Sequence, residues 1–238
     1  MMEVWRGDRR FRGGDGAGVE TSHAFSFGGH YDPENVAFGH LVACNEESLA
    51  PGAGFAEHPH RDTEIVTWVL DGTLEHRDDH GRTALLAAGD LQRLSAGTGV
   101  RHTERNAGPQ PLRFLQMWLR PDPFGGPPEY TAVTAPVPPG PGLRLLASGD
   151  PDACPPVRLR QPRAALYAGR PDGPDACALP DAVHRYVHVA RGSVRLADAE
   201  GEALLGPGDA ARITGTAPVT ASTAGPAEYL VWAMDPRP

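Results

Sequence analysis

His58 and His60 stand two residues apart in the segment GFAEHPH, and His102 and Glu104 stand two apart in VRHTERN. On a β-strand, residues i and i+2 share a face, so each dyad presents both side chains to one side. If the two segments lie on facing or neighbouring strands, three imidazoles and one carboxylate converge. Such a set binds one divalent metal ion and leaves coordination positions open. Mixed nitrogen and oxygen sites with vacancies suit Fe(II), Mn(II), Ni(II) or Co(II), and also Cu(II) or Zn(II). Pro59 has no backbone N–H to give a sheet, which puts the first dyad at a strand start or a sheet edge. A lone H-x-H among ten histidines is weak evidence; the second dyad and the glycine turns around both give it weight.

The elements that would position these residues read as strands. Gly (29) and Pro (25) are frequent, and short alternating runs recur between turn signals, as in an all-β sandwich or barrel. Examples are residues 64–70, 112–119, 185–190 and 228–234, with hairpin signals at Asp71-Gly72 and Asp79-His80-Gly81. The two halves also resemble each other. Each has a strand, a Gly turn (Gly72, Gly192), a hairpin, and then two leucines leading to Gly-Asp (Gly89-Asp90, Gly208-Asp209). The expected organisation is a duplicated β-domain, residues 1–132 and 133–238. The Pro/Gly-rich stretch 121–142 serves as an extended linker, and residues 169–180 form a surface loop. Counted from the equivalent glycines, His58 and His60 map near Ala178 and Pro180, and His102 and Glu104 near Ala221 and Thr223. The second half is therefore expected to lack the metal set, with His184 and His188 structural. His76 and His80, near a hairpin, are expected at the surface.

Composition narrows the function classes. The net charge of −8 opposes broad nucleic-acid binding, which needs a basic surface. No lysine is present, which removes Schiff-base chemistry. Three separated cysteines, Cys44, Cys154 and Cys177, form no CxxC pair and read as reduced thiols. No apolar run reaches the length of a membrane span and the N-terminus has no secretory core, so a cytoplasmic location is expected.

The glycine frame and the two dyads resemble the paired motifs of cupins. His58, His60, Glu64 and Gly72 follow the first motif with one extra residue before the Gly. Gly89, Gly97, His102 and Asn106 follow the second, with Ser95 in place of Pro and two extra residues before the His. These departures, with the stretches SHAFSF (22–27), YDP (31–33), GFAEHPH (54–60) and SAGTGVRHTE (95–104), resemble the pirin family across about residues 20–120. The resemblance implies a bicupin: two tandem jelly-roll β-barrels with iron in the N-terminal one. By resemblance the ligands are His58, His60, His102 and Glu104. Glu64 is then the rival carboxylate, or an acceptor that orients an imidazole.

The resemblance also implies a reaction. Pirin-like bacterial proteins are often quercetin 2,3-dioxygenases, which open a flavonol ring with O2 and release carbon monoxide. Glu104 is expected to act as general base on the flavonol 3-hydroxyl, alternating with its role as ligand. Phe25, Phe27, Phe55 and Trp68 are the candidates to line a pocket for the flat substrate, against ordinary core packing. A reading from another class is a non-enzymatic iron-binding redox sensor that acts through a protein partner; the acidic charge favours protein over DNA. An isomerase or hydroxylase is a third, since cupin sites host many chemistries.

Overall fold

The computed structural model describes residues 1–236. Among these the chain forms 22 strands and one short 3-10 helix, Gly7–Arg9. The strands are β1 Met2–Trp5, β2 Phe11–Gly14, β3 Val19–His23, β4 Leu41–Leu49, β5 Gly54–His60, β6 Glu64–Asp71, β7 Thr73–Asp78, β8 Thr83–Ala87, β9 Leu91–Ser95, β10 Val100–Asn106 and β11 Leu112–Leu119. They continue as β12 Glu129–Val133, β13 Gly140–Ser148, β14 Val157–Arg158, β15 Ala164–Arg170, β16 Asp175–Ala178, β17 His184–Arg191, β18 Val194–Ala197, β19 Glu202–Leu205, β20 Ala210–Thr214, β21 Thr220–Thr223 and β22 Glu228–Met234. The expected all-β class holds.

Two compact units result, and each is completed by a segment from elsewhere in the chain. One contains Phe11–Pro136 with Leu159–Gln161; the other contains Met1–Arg10, Val137–Arg158 and the chain from Pro162 onward. Each unit has one seven-stranded and one four-stranded sheet. The first unit has the orders β12-β9-β6-β11-β4-β3-β2 and β5-β10-β7-β8. The second has β1-β20-β17-β22-β15-β13-β14 and β16-β21-β18-β19. The orders correspond strand for strand from β9/β20 to β3/β13 and from β5/β16 to β8/β19, so the internal repeat seen in the sequence is a repeat of topology. Gly72 and Gly192 hold equivalent tight turns at φ +79° and +70°. A Cβ would meet the Pro111 carbonyl at 2.8 Å in one case and the Pro226 carbonyl at 2.3 Å in the other, so only glycine fits.

Two expectations about irregular stretches need correction. The stretch 121–142 carries β12, which adds to the edge of the first unit's large sheet by pairing Glu129 with Ser95 through Val133 with Leu91. The stretch 169–180 carries β16, paired with β21. Both runs are short and flanked by Pro and Gly, so their strand signal is diluted; cross-strand pairing, not local propensity, makes them strands.

The interior of the first unit is layered. Along β6 the inward positions are Ile65, Thr67 and Val69, and along β11 they are Phe114, Gln116 and Trp118. Ile65 lies in an apolar cluster with Leu94, Ala96 and Val100, against which Trp118 packs. Val69 and Phe114 lie in another, with Val19, Leu49, Leu74, Leu86 and Leu112. Thr67 and Gln116 fall between the two clusters, so each strand places one polar residue between two apolar ones. The second unit has no such polar layer on the equivalent strands: Val187, Val189, Tyr229 and Val231 join a single apolar cluster with Leu196 and Ala221.

Candidate metal centre

The polar layer of the first unit holds both dyads. β10 pairs with β5 so that His102 stands opposite His58, and a bulge between His102 and Glu104 brings Phe55 opposite Glu104. On its other side β10 pairs with β7, putting His76 opposite Glu104 and Asp78 opposite His102. Alternation turns His102 and Glu104 inward, and both are 1% exposed. The outward residues Arg101 and Glu57 form an ion pair at 2.7 Å.

Three imidazoles converge. His102 Nε2 lies 3.1 Å from His58 Nε2. The ring centroids are 4.5 Å apart for His58 and His102, 4.7 Å for His58 and His60, and 4.9 Å for His60 and His102. One ligand atom from each of the three lies within 4.8 Å of the others. His58 Nδ1 is 2.8 Å from the Ala56 carbonyl. A carbonyl only accepts, so Nδ1 carries a proton and Nε2 is the nitrogen left to face a ligand. The buried His60 Nε2 has no hydrogen-bond partner among the described residues. Burial, then the neighbouring imidazoles, lower the His60 and His102 pKa values to about 3. These two rings are therefore neutral, the form that binds a cation. An orphaned buried nitrogen facing two convergent imidazoles fits a divalent ion.

Glu104 is held differently. Its Oε1 accepts from Gln92 Nε2 at 2.7 Å and its Oε2 from Gln116 Nε2 at 2.6 Å. Gln92 Oε1 accepts from the Tyr130 hydroxyl at 2.8 Å, and Gln116 Oε1 from Trp118 Nε1 at 3.1 Å. Because the indole N–H can only donate, the Gln116 amide must turn its NH2 toward Glu104. Burial raises the Glu104 pKa, against the lowering influence of His76 and the two amides. Its carboxylate forms a second potential ligand set with His76 and His102, distinct from the three-histidine set.

His76 is a correction. Expected at the surface, it is fully buried. Its Nδ1 is 3.4 Å from His102 Nδ1, its Nε2 is 3.6 Å from Asp78 Oδ2, and its ring stacks on Tyr130 at 4.5 Å. The alternation Leu74, His76, Asp78 was the available signal: it puts all three on the face of the buried Leu74. His80 is exposed, as expected.

Glu64 is a second correction. It begins β6 on the face opposite Thr67, away from the histidines. Ser95 Oγ and the Arg160 N–H donate to its Oε1 at 2.8 Å each, and the Gln161 N–H donates to Oε2 at 2.9 Å. Its carboxylate is engaged with the segment that completes the first unit, so it neither orients an imidazole nor competes as a ligand.

A cavity of about 720 Å³ opens onto His58 and His60, with Phe27, Phe55 and Trp118 in its walls. Trp118 stands edge-on to His60 at 4.9 Å and to Phe27 at 4.8 Å. Of the four aromatics expected there, Phe27 and Phe55 line the cavity. Phe25 and Trp68 do not: Phe25 is covered by protein, and Trp68 is on the outward face of β6, with the parity of Glu64. Trp118 takes the place assigned to Trp68. In the second unit, Cys177 and Ala221 occupy the pairing position of His58 and His102. Among the described residues, the histidine clusters lie only in the first unit.

Comparisons with known proteins agree with this fold. The Pirin family model matches residues 6–119. A Mycobacterium tuberculosis protein named "Putative quercetin 2,3-dioxygenase" is 38% identical over 91% of this chain and 88% of its own length. The Escherichia coli protein named quercetin 2,3-dioxygenase is 42% identical over 47% of this chain and 49% of its own. The crystal structure of the bacterial pirin YhhW from Escherichia coli, in complex with nickel(II), superposes with a TM-score of 0.89 at 28% identity over 100% of both chains. The chain is a two-barrel cupin and belongs to the pirin family. Its His/Glu cluster is consistent with a single metal ion. No helix among the described residues is long and apolar enough to cross a membrane.

Proposed function

We propose that this chain is a metal-dependent dioxygenase that opens the ring of a flavonol such as quercetin with O2, with Fe(II) as its metal. The observation that carries this reading is the convergence of three imidazoles with a buried carboxyl beside them, two of the imidazoles, His58 and His60, lining a cavity walled by aromatic rings. His58, His60, His102 and Glu104 would hold the ion. A bound divalent ion supplies Lewis acidity toward a chelating hydroxyl and redox contact with O2. In this reading the N-terminal half, about 1–132, carries the chemistry, and the half 133–238 has lost it.

Glu104 takes the proton from the flavonol 3-hydroxyl. Burial makes its carboxylate a stronger base than an exposed glutamate. Each oxygen engaged by Gln92 or Gln116 keeps a second lone pair to receive that proton. The two amides hold the carboxylate while Glu104 alternates between base and ligand; its separation from the three-histidine set supports that alternation. Phe27, Phe55 and Trp118 cover the faces of a flat ring and keep water from it.

The test is turnover. Protein loaded with Fe(II) is mixed with quercetin and O2, and loss of flavonol absorbance and release of carbon monoxide are followed. Both are expected, and Glu104→Gln should lower the rate at least a hundredfold with metal retained. A filled site that turns over no flavonol with any divalent metal overturns the reading in favour of a redox sensor. Full activity in Glu104→Gln overturns the base.

A further inference from the structure

Of the four tryptophans, Trp118 alone lines the cavity onto which His58 and His60 open. Its ring centroid is 4.9 Å from that of His60, at an interplanar angle of 86°. It is half-buried. Its N–H bond to Gln116 Oε1 and its edge contact with Phe27 fix it there. Trp68 faces the other side of β6, and Trp5 and Trp232 belong to the second unit. The described residues that line the cavity include neither Met nor Cys. Met117, next in the chain, has the opposite parity on β11 and is fully buried, as is Cys44, its partner on β4. Tyr130 is separated from His102 by the His76 ring. The fused pyrrole makes indole a richer source of electrons than the phenyl rings of Phe27 and Phe55 or the imidazoles. The most oxidisable group in the cavity wall therefore stands against a metal-ligating ring.

We propose that Trp118 is a sacrificial oxidation site, which takes up the oxygen that would otherwise attack the ligand rings. The oxidant is hydrogen peroxide, the two-electron reduction product of O2. A redox-active ion held by the histidines catalyses its cleavage. In the net step the O–O bond of the peroxide breaks and a C–O bond forms on the indole. The hydrogen displaced from that carbon leaves in water, with the other peroxide oxygen. The indole loses two electrons and the peroxide gains them. A short-lived oxidant reacts with the nearest ring that yields electrons, and Trp118 offers one beside His60. Hydroxylation of this wall leaves the three imidazoles intact, so the metal set outlasts the event. The inference goes beyond the flavonol reading: it requires a redox-active ion at the histidines and no turnover of substrate.

The test is a peptide map. Full-length protein is loaded with Fe(II), its metal content is measured, and hydrogen peroxide is added without substrate. After digestion, fragment masses locate each added oxygen atom. Trp118 should carry most of the oxygen gained by aromatic residues, resolved by fragmentation from Met117 beside it. Cys154, which is exposed, should oxidise with or without metal and serves as the internal control. Zn(II)-loaded protein should show about tenfold less oxygen at Trp118, because Zn(II) has no redox chemistry. Trp118→Phe keeps an aromatic wall but a poorer source of electrons. In that variant the oxygen should move to His58 or His60, and the bound metal should be lost at a lower peroxide dose than in the wild type. Equal oxidation of Trp118 with Fe(II) and with Zn(II) overturns the inference. So does oxygen on the histidines or Tyr130 of the wild type while Trp118 stays intact, or a Trp118→Phe variant that keeps its metal as long as the wild type. Protein that takes up no Fe(II) overturns the metal reading before peroxide is added, and this inference with it.

Discussion

His76 Nδ1 lies 3.4 Å from His102 Nδ1, while the other nitrogen of the His102 ring faces His58. His102 therefore stands between its two partners in the three-histidine cluster and a fourth imidazole, His76, that is itself backed by Asp78. If His102 Nε2 is to bind a cation, its proton must sit on Nδ1, where His76 can accept it. The orientation of this ring is then set from behind.

That relationship predicts a metal-affinity defect. His76→Ala should weaken divalent metal binding about 10- to 100-fold, the usual effect of removing a partner that orients a ligand. Competition titration against a chromogenic chelator measures it, and His76→Asn, which keeps an acceptor, should recover part of the loss. Wild-type affinity in His76→Ala would show that His102 needs no support from this side.

The Glu104 clamp predicts a shift in pH dependence. Gln116→Leu deletes one of two donors that favour the carboxylate, leaving burial less opposed. The Glu104 pKa rises further, so the acid limb of kcat/KM should move to higher pH. An unmoved limb would mean that Glu104 is not the group titrating there.

Glu64 should behave as a structural acid. Glu64→Ala removes the acceptor of two backbone N–H groups and one hydroxyl in a fully buried setting. Unfolding in urea should show a loss of about 3 kcal/mol or more, with metal affinity of the folded fraction unchanged. A selective loss of metal with stability intact would restore Glu64 to the site.

The metal-free protein should weaken in mild acid. His60 and His102 have folded pKa values of about 3, well below the 6.5 of an exposed histidine. Between those values the unfolded chain binds protons that the folded chain does not, so stability falls as pH drops from about 6.5 toward 3. His76, lowered by burial as well, acts in the same sense, and Glu104, shifted upward, in the opposite one. The urea midpoint of the apo protein should decline over this range, and less steeply in His60→Asn. Identical slopes would remove these rings as the cause.

The two dyads were legible because a period of two survives within a single strand. What failed was parity across turns. His58 and His60 face inward with even numbers on β5. The turn before β6, where Asp62 adopts a φ of 51°, resets the count, and on β6 the odd residues Ile65, Thr67 and Val69 face in. Glu64, placed near the site by its motif position, and Trp68, a candidate for the pocket, therefore face the other side. His76 was missed for another reason: its neighbours Arg77, Asp79 and His80 are polar, and only pairing with β10 shows that its own face is buried. The Gln92–Glu104–Gln116 clamp joins three strands, and its residues share no spacing that a linear reading would flag.

The pairing of β1 with β20 sets an order of assembly. Met2 meets Ile213 and Trp5 meets Ala210, so β1 completes a sheet whose other members are made roughly 130 to more than 200 residues later. At typical rates of translation the wait is roughly 10–40 s. During that time β1 is an unpaired edge able to join the wrong sheet. Arg6, just after the strand, binds Asp209 through its guanidinium at 2.6 Å, immediately before β20, and so ties the register of the early strand to its late partner.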